Sequence, residues 1–146
     1  MQFLPISINI TDKKILIIGG GRIGLHKLLL LKRFTSNITV LAKEVTEEIR
    51  SEGVKIIENE YDKSYLDGFF LIYACVNDKN FNKKIKNDAK SKGILVNVAD
   101  NPILCDFISP AIYKFDYMTI SVSSGAKNVN KSVQIRDEIK KFLENG

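Results

Sequence analysis

The sequence predicts an α/β protein with a parallel, doubly wound sheet followed by a β-hairpin and a C-terminal helix. Through most of its 146 residues, short apolar runs alternate with amphipathic helical segments, joined by connections of a few residues. After Val98 this alternation stops, and apolar residues recur at every second position on both sides of Phe115 and Asp116, as in a hairpin. We therefore expect a first domain over residues 1–105 and a hairpin-and-helix region over residues 106–146.

Hydrophobic periodicity and turn residues place the individual elements. Residues 2–10 alternate only in part, which indicates a short leading strand or an extended segment. Gly53 and Gly93 end helical patterns, and Asn77-Asp78 is a typical helix start. The predicted strands are 15–18, 38–42, 54–57, 69–76, 94–98, 106–114 and 117–123, and the predicted helices are 22–34, 45–51, 62–66, 78–92 and 131–143.

A glycine-rich loop joins the first predicted strand to the first predicted helix at Gly19-Gly-Gly-Arg-Ile-Gly24. In this arrangement Gly19 makes the turn, Gly21 lets backbone N–H groups approach a pyrophosphate, and Gly24 lets the helix pack closely on the strand. The strand before the loop and the helix after it favour a dinucleotide site over a glycine-rich turn that binds nothing. The first domain is therefore predicted to be Rossmann-like.

The tips of the second and fourth predicted strands complete the candidate dinucleotide site. The second strand ends Leu41-Ala42-Lys43-Glu44, so the acid that usually takes the ribose hydroxyls is missing from its tip and only Glu44 is near. These residues leave NAD and NADP open, and Lys43 is the residue that could accept the 2′-phosphate of NADP. The candidate cofactor-binding residues are Gly19, Gly20, Gly21, Arg22, Ile23, Gly24, Ala42, Lys43, Val76 and Asn77.

Composition and charge narrow the possible functions. The chain is 45% hydrophobic and 27% charged, which is typical of a globular protein, and its net charge of +5 favours acidic ligands without choosing among them. No basic stripe interleaved with aromatic residues indicates a nucleic-acid surface, and one histidine with two cysteines does not make a structural metal site. Because no long apolar run or basic leader is present, we expect a cytoplasmic protein with no membrane partner.

Three passages resemble one known family. They are Gly19–Gly24 after a Leu-Pro-Ile opening, Asn97-Val-Ala-Asp-Asn-Pro-Ile-Leu-Cys-Asp-Phe-Ile-Ser-Pro-Ala111, and Ser121-Val-Ser-Ser-Gly125. Together they resemble the precorrin-2 dehydrogenase and sirohydrochlorin ferrochelatase family, which forms the N-terminal domain of siroheme synthase. The middle passage is the specific one, since it is not a general nucleotide-binding pattern. The resemblance runs from about residue 4 to residue 143.

This resemblance implies NAD-dependent oxidation of precorrin-2, a tetrapyrrole, to sirohydrochlorin. It also implies a homodimer whose hairpins pair, and some members of the family insert ferrous iron. By position in the matching passages, Asp100 is the catalytic residue and a transient contact for iron, with no fixed metal site. Asn97, Asp100, Ser124 and Gly125 would then border the tetrapyrrole.

The sequence leaves several alternatives open. Asp100 before Asn101-Pro102 is also typical of a turn residue, and Arg136 either contacts a substrate carboxylate or lies on the helix surface. Cys105 reads as a small packed residue. Relatives usually continue into a helical domain and carry proline at the position of Val129, so substrate cover and the start of the last helix are expected to differ here. The competing functions are a non-catalytic module that senses NAD or another nucleotide, and a ferrochelatase alone.

Overall fold

The computed structural model describes all 146 residues, which divide into two compact units. The first unit is Ile6–Phe107, and the second combines Met1–Pro5 with Ile108–Gly146. The division lies two residues beyond the predicted boundary after Cys105. The physical reason is that Asp106 and Phe107 are hydrogen-bonded to the last strand of the first unit.

The first unit is built on a five-stranded parallel sheet with strand order β3-β2-β1-β4-β5. Central β1 pairs with β2 and β4, so that Ile18 lies beside Leu41 and Ala74 at the carboxyl ends of the strands. Two short 3₁₀ helices, Lys63–Leu66 and Pro102–Leu104, lie in its connections. Its elements are β1 (Ile15–Ile18), α1 (Arg22–Leu31), β2 (Ile38–Ala42), α2 (Glu47–Ser51), β3 (Lys55–Glu58), β4 (Leu71–Ala74), α3 (Lys79–Ser91) and β5 (Leu95–Val98).

Helices cover both faces of this sheet, which confirms the predicted doubly wound arrangement. Alternate residues of β1 point to opposite faces, as the two-residue period of a strand requires. Ile15 and Ile17 pack with Leu28 of α1 and with α2, whereas Leu16 and Ile18 pack with Ile85 of α3. All four β1 residues are buried, which explains why this strand reads as a continuous apolar run.

Element boundaries differ from the sequence prediction at several ends. Helix α1 ends at Leu31, three residues before Phe34, and β4 is limited to Leu71–Ala74. Residues 2–10 form no strand. Residues 106–110 were predicted to begin the hairpin, but that part of the prediction is wrong because Asp106 and Phe107 are held at β5 and the hairpin starts only after Pro110.

The second unit contains an antiparallel hairpin and a long helix. Strands β6 (Ala111–Phe115) and β7 (Met118–Val122) pair with Phe115 opposite Met118, and α4 spans Val129–Asn145. Helix α4 lies against the hairpin, with the Tyr113 hydroxyl 3.3 Å from Glu144. Helix α4 thus covers the apolar hairpin face around Tyr113, while Tyr117 and Met118 at the turn are exposed.

None of the helices combines the length and the apolar character needed to cross a membrane.

Candidate functional site

A cleft of about 430 Å³ opens in the first unit at the carboxyl ends of β1, β2 and β4. Carboxyl strand ends next to a change in strand order are where parallel α/β sheets bind ligands. The cleft is lined by residues from the glycine loop and from the segments that follow β2, β3 and β4. These are Ile18, Gly19, Gly20, Gly21, Arg22, Ile23, Leu41, Ala42, Lys43, Glu44, Asn59, Tyr61, Cys75, Val76, Asn77 and Phe81.

The steric surroundings of the Cβ position differ among the glycines of the loop. Gly19 has φ +126°, and a Cβ atom there would meet the Cys75 carbonyl oxygen at 2.5 Å. A side chain on Gly20 would overlap the Glu44 carbonyl oxygen, and one on Gly24 would overlap that of Gly19. Gly24 therefore supports the loop from behind instead of lining the cleft. Gly21 is exposed, and its Cβ position has no atom within 4 Å.

The open side of Gly21 leads to the N-terminus of α1. Gly21 is the N-cap of this helix, no side chain caps it, and its first turn carries no acidic residue. Unpaired N–H groups and the positive end of the helix dipole are therefore left for an anionic ligand. This loop geometry fits the pyrophosphate of a dinucleotide, as the sequence pattern predicts.

Charged side chains follow β2 at the rim of the cleft. Lys43 forms an ion pair with Glu60, with 2.8 Å between Nζ and Oε1, and Glu44 lies beside them. Their hydrogen bond raises the pKa of Lys43 and lowers the pKa of Glu60, so both stay charged at neutral pH. Lys43 and Glu44 thus line the cleft at the strand tip where an acid that binds the ribose hydroxyls is usually found, and Arg22 is a second cation in the lining.

An aromatic pair forms another part of the lining. The rings of Tyr61 and Phe81 meet edge to face with centroids 5.3 Å apart, and the Tyr61 hydroxyl donates to Asp88 at 2.9 Å. Burial and the Asp88 carboxylate raise the pKa of Tyr61, which keeps its phenol neutral. The sequence analysis missed these residues and Asn59, although Asn59 directly follows β3 and so belongs at the same sheet edge.

Asp100 lies in a tight turn directly after β5, at the same edge of the sheet. The turn is closed by the Asn101 N–H, which donates to the Val98 carbonyl oxygen at 3.2 Å. Asp100 has φ +59°, a left-handed conformation that Asp tolerates better than most residues. Asp100 is exposed. Burial raises the pKa of the Cys75 thiol, which lines the cleft, to about 12, and the negative charge of Asp100 contributes to this rise.

Lys27 of α1 also lies near Asp100, and the sequence analysis did not single it out. Burial lowers the pKa of Lys27, while the Cys75 and Cys105 thiols and the Asp100 carboxylate oppose this shift. Its Nζ lies 5.8 Å from the centre of the Tyr73 ring, which in turn packs edge to face with Phe107. The available signal was a lysine among the apolar positions of the first predicted helix.

Asn97 is a buried residue of β5, with 4% of its surface exposed. Its Nδ2 donates to the Phe107 carbonyl oxygen at 3.0 Å, and its Oδ1 has no hydrogen-bond partner. Asn97 thus holds the chain after β5 in place. Its predicted contact with the tetrapyrrole stays a prediction.

Ser124 and Gly125 lie in the second unit, in the loop between β7 and α4. The Ser124 hydroxyl accepts the Asn128 N–H at 2.8 Å, and the Gly125 N–H donates to the Ser123 hydroxyl at 3.1 Å. Gly125 and Ala126 have φ +63° and +65°. Arg136 of α4 pairs with its neighbour Asp137 at 2.7 Å. The helix starts at Val129, two residues earlier than predicted.

No group of three or more histidine, cysteine, aspartate or glutamate side chains is arranged to hold a metal ion. Both cysteines are free thiols.

The glycine loop and the cleft together define the class of protein: an NAD(P)-binding domain of the Rossmann type. The family model described as "Putative NAD(P)-binding" matches residues 6–111, and the chain belongs to this family.

Comparison with curated proteins narrows the relationship further. The siroheme synthase of Buchnera aphidicola subsp. Acyrthosiphon pisum (strain APS) is 31% identical over 149 aligned positions, which cover 99% of this chain and 32% of that protein. The siroheme synthase of Psychrobacter cryohalolentis is 40% identical over 132 positions, which cover 87% of this chain and 25% of that protein. The chain thus spans about a quarter to a third of the length of these relatives.

A solved structure named "SirC, precorrin-2 dehydrogenase" has the same fold, with a TM-score of 0.77 and 21% identity over 96% of this chain and 70% of that one. These matches confirm the resemblance to the N-terminal domain of siroheme synthase.

Proposed function

We propose that this protein is an NAD-dependent dehydrogenase that oxidises precorrin-2 to sirohydrochlorin. The observation that carries the proposal is the position of Asp100. It follows Ala99, whose N–H donates to the Ala74 carbonyl oxygen at 3.0 Å, directly before Cys75 in the lining of the cleft built by the glycine loop. A carboxylate at this edge is the group needed to take a proton from a substrate that lies against the cleft.

The cofactor would be held by the glycine loop and by the segments after β2 and β4. The N-terminus of α1 would bind the pyrophosphate, with Gly21 providing the space, and Ala42 and Asn77 would border the two sides of the cleft. A bound nicotinamide would accept the hydride that leaves the tetrapyrrole. The contact of these residues with a dinucleotide is supported by their place in the cleft and by the family match.

Asp100 would take the proton that leaves the substrate in the same oxidation. Its exposed carboxyl is accessible in the unliganded chain, and the left-handed turn fixes the direction of its Cα–Cβ bond. Lys27 would hold a positive charge near this carboxylate. Substrate carboxylates would be attracted by the net charge of +5. Ser124 and Gly125 stay proposed substrate contacts by their position in the matching Ser-Ser-Gly passage.

We propose NAD over NADP because of the charges at the rim. Lys43 forms an ion pair with Glu60, and Glu44 contributes a carboxylate to the lining of the cleft. Glu44 would repel a 2′-phosphate, and the ion pair makes Lys43 less available to it, whereas a ribose hydroxyl would find a carboxylate acceptor in Glu44.

We also propose that the protein is a homodimer formed through the hairpin. Phe115, Tyr117 and Met118 at the β6–β7 turn are 40%, 87% and 51% exposed. Neighbouring exposed apolar side chains of this kind are typical of interaction surfaces.

The direct test is to incubate the protein with precorrin-2 and NAD in the absence of oxygen and to follow NADH and sirohydrochlorin by absorbance. We expect both to rise together, and neither to rise when NAD is omitted. NAD binding without turnover would contradict the proposal and favour the nucleotide-sensing alternative. Replacing precorrin-2 by sirohydrochlorin and ferrous iron tests separately for the ferrochelatase activity of some relatives. Iron insertion without dehydrogenation would favour a ferrochelatase alone.

A further inference from the structure

The chain after β5 folds back along the outer edge of that strand. Strand β5 is the last of the sheet, so one row of its backbone groups has no neighbouring strand. Asp106 satisfies this edge at Val96: its backbone N–H donates to the Val96 carbonyl oxygen at 2.9 Å, and its side chain accepts the Val96 N–H at 2.9 Å. An ion pair between Asp106 and Lys86 of α3 fixes the carboxylate in turn. The bonds between Val96 and Asp106 thereby hold together the two ends of the segment 97–105, which contains Asp100 and is called the Asp100 loop below.

The thiol of Cys105 lies inside this loop and bonds to the backbone on both sides of Asp100. The Val98 N–H donates to Sγ at 3.1 Å, and the thiol lies 3.2 Å from the Val98 carbonyl oxygen and 3.4 Å from that of Asn101. A single S–H proton serves one of these oxygens at a time. The contacted residues are the first and last of the turn that carries Asp100.

We propose that Cys105 is a positioning residue for the reaction, because its thiol fixes the Val98–Asn101 turn and so sets the direction of the Asp100 carboxylate. The inference rests on the proposed function, since it needs Asp100 as the base. It gives the thiol a role in catalysis without contact with substrate. Misplacement of a catalytic group by about 1 Å can cost up to roughly a hundredfold in rate, so weak sulfur hydrogen bonds suffice if they hold one geometry.

The state of the thiol agrees with this role. Burial raises the pKa of the Cys105 thiol, so it stays protonated at neutral pH and can donate to a carbonyl oxygen. A thiolate would be a nucleophile but would have no proton to donate. Cys105 is also half-buried, which limits competition from water for the same backbone groups.

A double-mutant cycle tests the inference. Cys105→Ala removes the thiol, Cys105→Ser keeps a donor and acceptor on a shorter side chain, and both are combined with Asp100→Asn. We expect Cys105→Ala to lower kcat about tenfold with an unchanged Kd for NAD, and Cys105→Ser to recover part of the loss. In the Asp100→Asn background, Cys105→Ala should change kcat less than about twofold, because the group it positions has already lost its function.

The matched control is Ser91→Ala, which also removes a side-chain hydrogen bond to a backbone oxygen, here that of Asp88 at 2.6 Å in α3. It should leave kcat unchanged. Amide hydrogen exchange of the unliganded protein gives a second readout: the Val98 and Asn101 N–H groups should exchange faster in Cys105→Ala and normally in Ser91→Ala. If Cys105→Ala does not fold, Cys105→Ser carries the same cycle and exchange measurement.

The results distinguish a failure of the positioning role of Cys105 from a failure of the proposed dehydrogenase function. Normal turnover and exchange in Cys105→Ala, with Asp100→Asn inactive, would overturn the positioning role and leave the proposed function intact. Equal fold losses in both backgrounds would show that Cys105 acts independently of Asp100 and would also overturn it. Absence of dehydrogenation in the wild type, or full turnover in Asp100→Asn, would instead be a failure of the proposed function, and the inference would fall with it.

Discussion

The carbonyl oxygen of Gly19 occupies the space that a Cβ atom would need on Gly24. This relationship fixes the first turn of α1 directly behind the loop, with its N-terminus facing the cleft. Gly21, two residues after Gly19, has no atom within 4 Å of its Cβ position. The same loop therefore contains one glycine required by packing and one whose absent side chain leaves room for a ligand.

This contrast predicts opposite effects for two substitutions. Gly21→Asp should abolish NAD binding with little change in melting temperature, because its side chain enters open space that the pyrophosphate needs and adds a negative charge. Gly24→Ala should instead lower the melting temperature, since its methyl group meets backbone. Calorimetry with NAD and thermal unfolding distinguish the two. Unchanged NAD affinity in Gly21→Asp would remove the loop from the cofactor site.

Asp100→Asn should remain folded and bind NAD but lose dehydrogenation by at least about a hundredfold, since an amide cannot take a proton. Asn also tolerates the left-handed backbone at φ +59°, so a loss of stability is not expected. Asp116→Asn is the matched control, because Asp116 has φ +52° in the hairpin turn. Near-normal turnover with a lowered melting temperature in Asp100→Asn would show that this residue is structural.

Glu60→Gln should raise the affinity for NADP about two- to fivefold while changing that for NAD less, because it releases the charge of Lys43 at an exposed rim. The gain should shrink as salt is added. Adding Lys43→Gln should cancel it. Titration of both dinucleotides checks this prediction, and a wild type that already prefers NADP would contradict the cofactor assignment.

Cys75 should weaken the fold at alkaline pH. Its pKa is about 12 in the folded chain against an ordinary value of 9.0, so between these values only the unfolded thiol is ionised and unfolding releases a proton. Stability therefore falls as pH rises above about 9, by at most about 1.4 kcal/mol per pH unit from this group. Cys75→Ala should lose that part of the decline. Urea unfolding of both proteins from about pH 8 to about pH 11 measures the difference, and parallel curves would argue against a buried neutral thiol.

The hairpin surface predicts a dimer of twice the 16.5 kDa chain mass at micromolar concentration. Met118→Glu should shift it toward monomer by placing a charge among the exposed apolar side chains at the turn. Thr119→Glu is the control, since neighbouring residues of a strand point to opposite faces. Sedimentation or light scattering provides the mass. A wild-type monomer that persists on concentration would refute the dimer.

Local patterns allowed much of the fold to be predicted. The continuous apolar run of β1 predicts a strand buried on both faces of a sheet. The glycines directly after it predict a loop with close backbone contacts. Both predictions need only the local sequence. Element ends were less accurate: Phe34 continues the apolar pattern of α1 but lies outside the helix, and apolar periodicity alone does not show where the backbone turns.

The sequence by itself thus determined the parallel sheet, the hairpin, and the glycine loop with Ala42 and Asn77 at the tips of the two strands that flank β1. Only the tertiary structure decided that Glu60 forms an ion pair with Lys43, that Lys27 lies near Asp100, and that Cys105 bonds across the Asp100 turn. The physical reason is that these relationships depend on strand order and loop path, which bring together residues from different elements. Side-chain type and local periodicity indicate whether a residue is buried or exposed, but they do not show which residue of another element lies next to it.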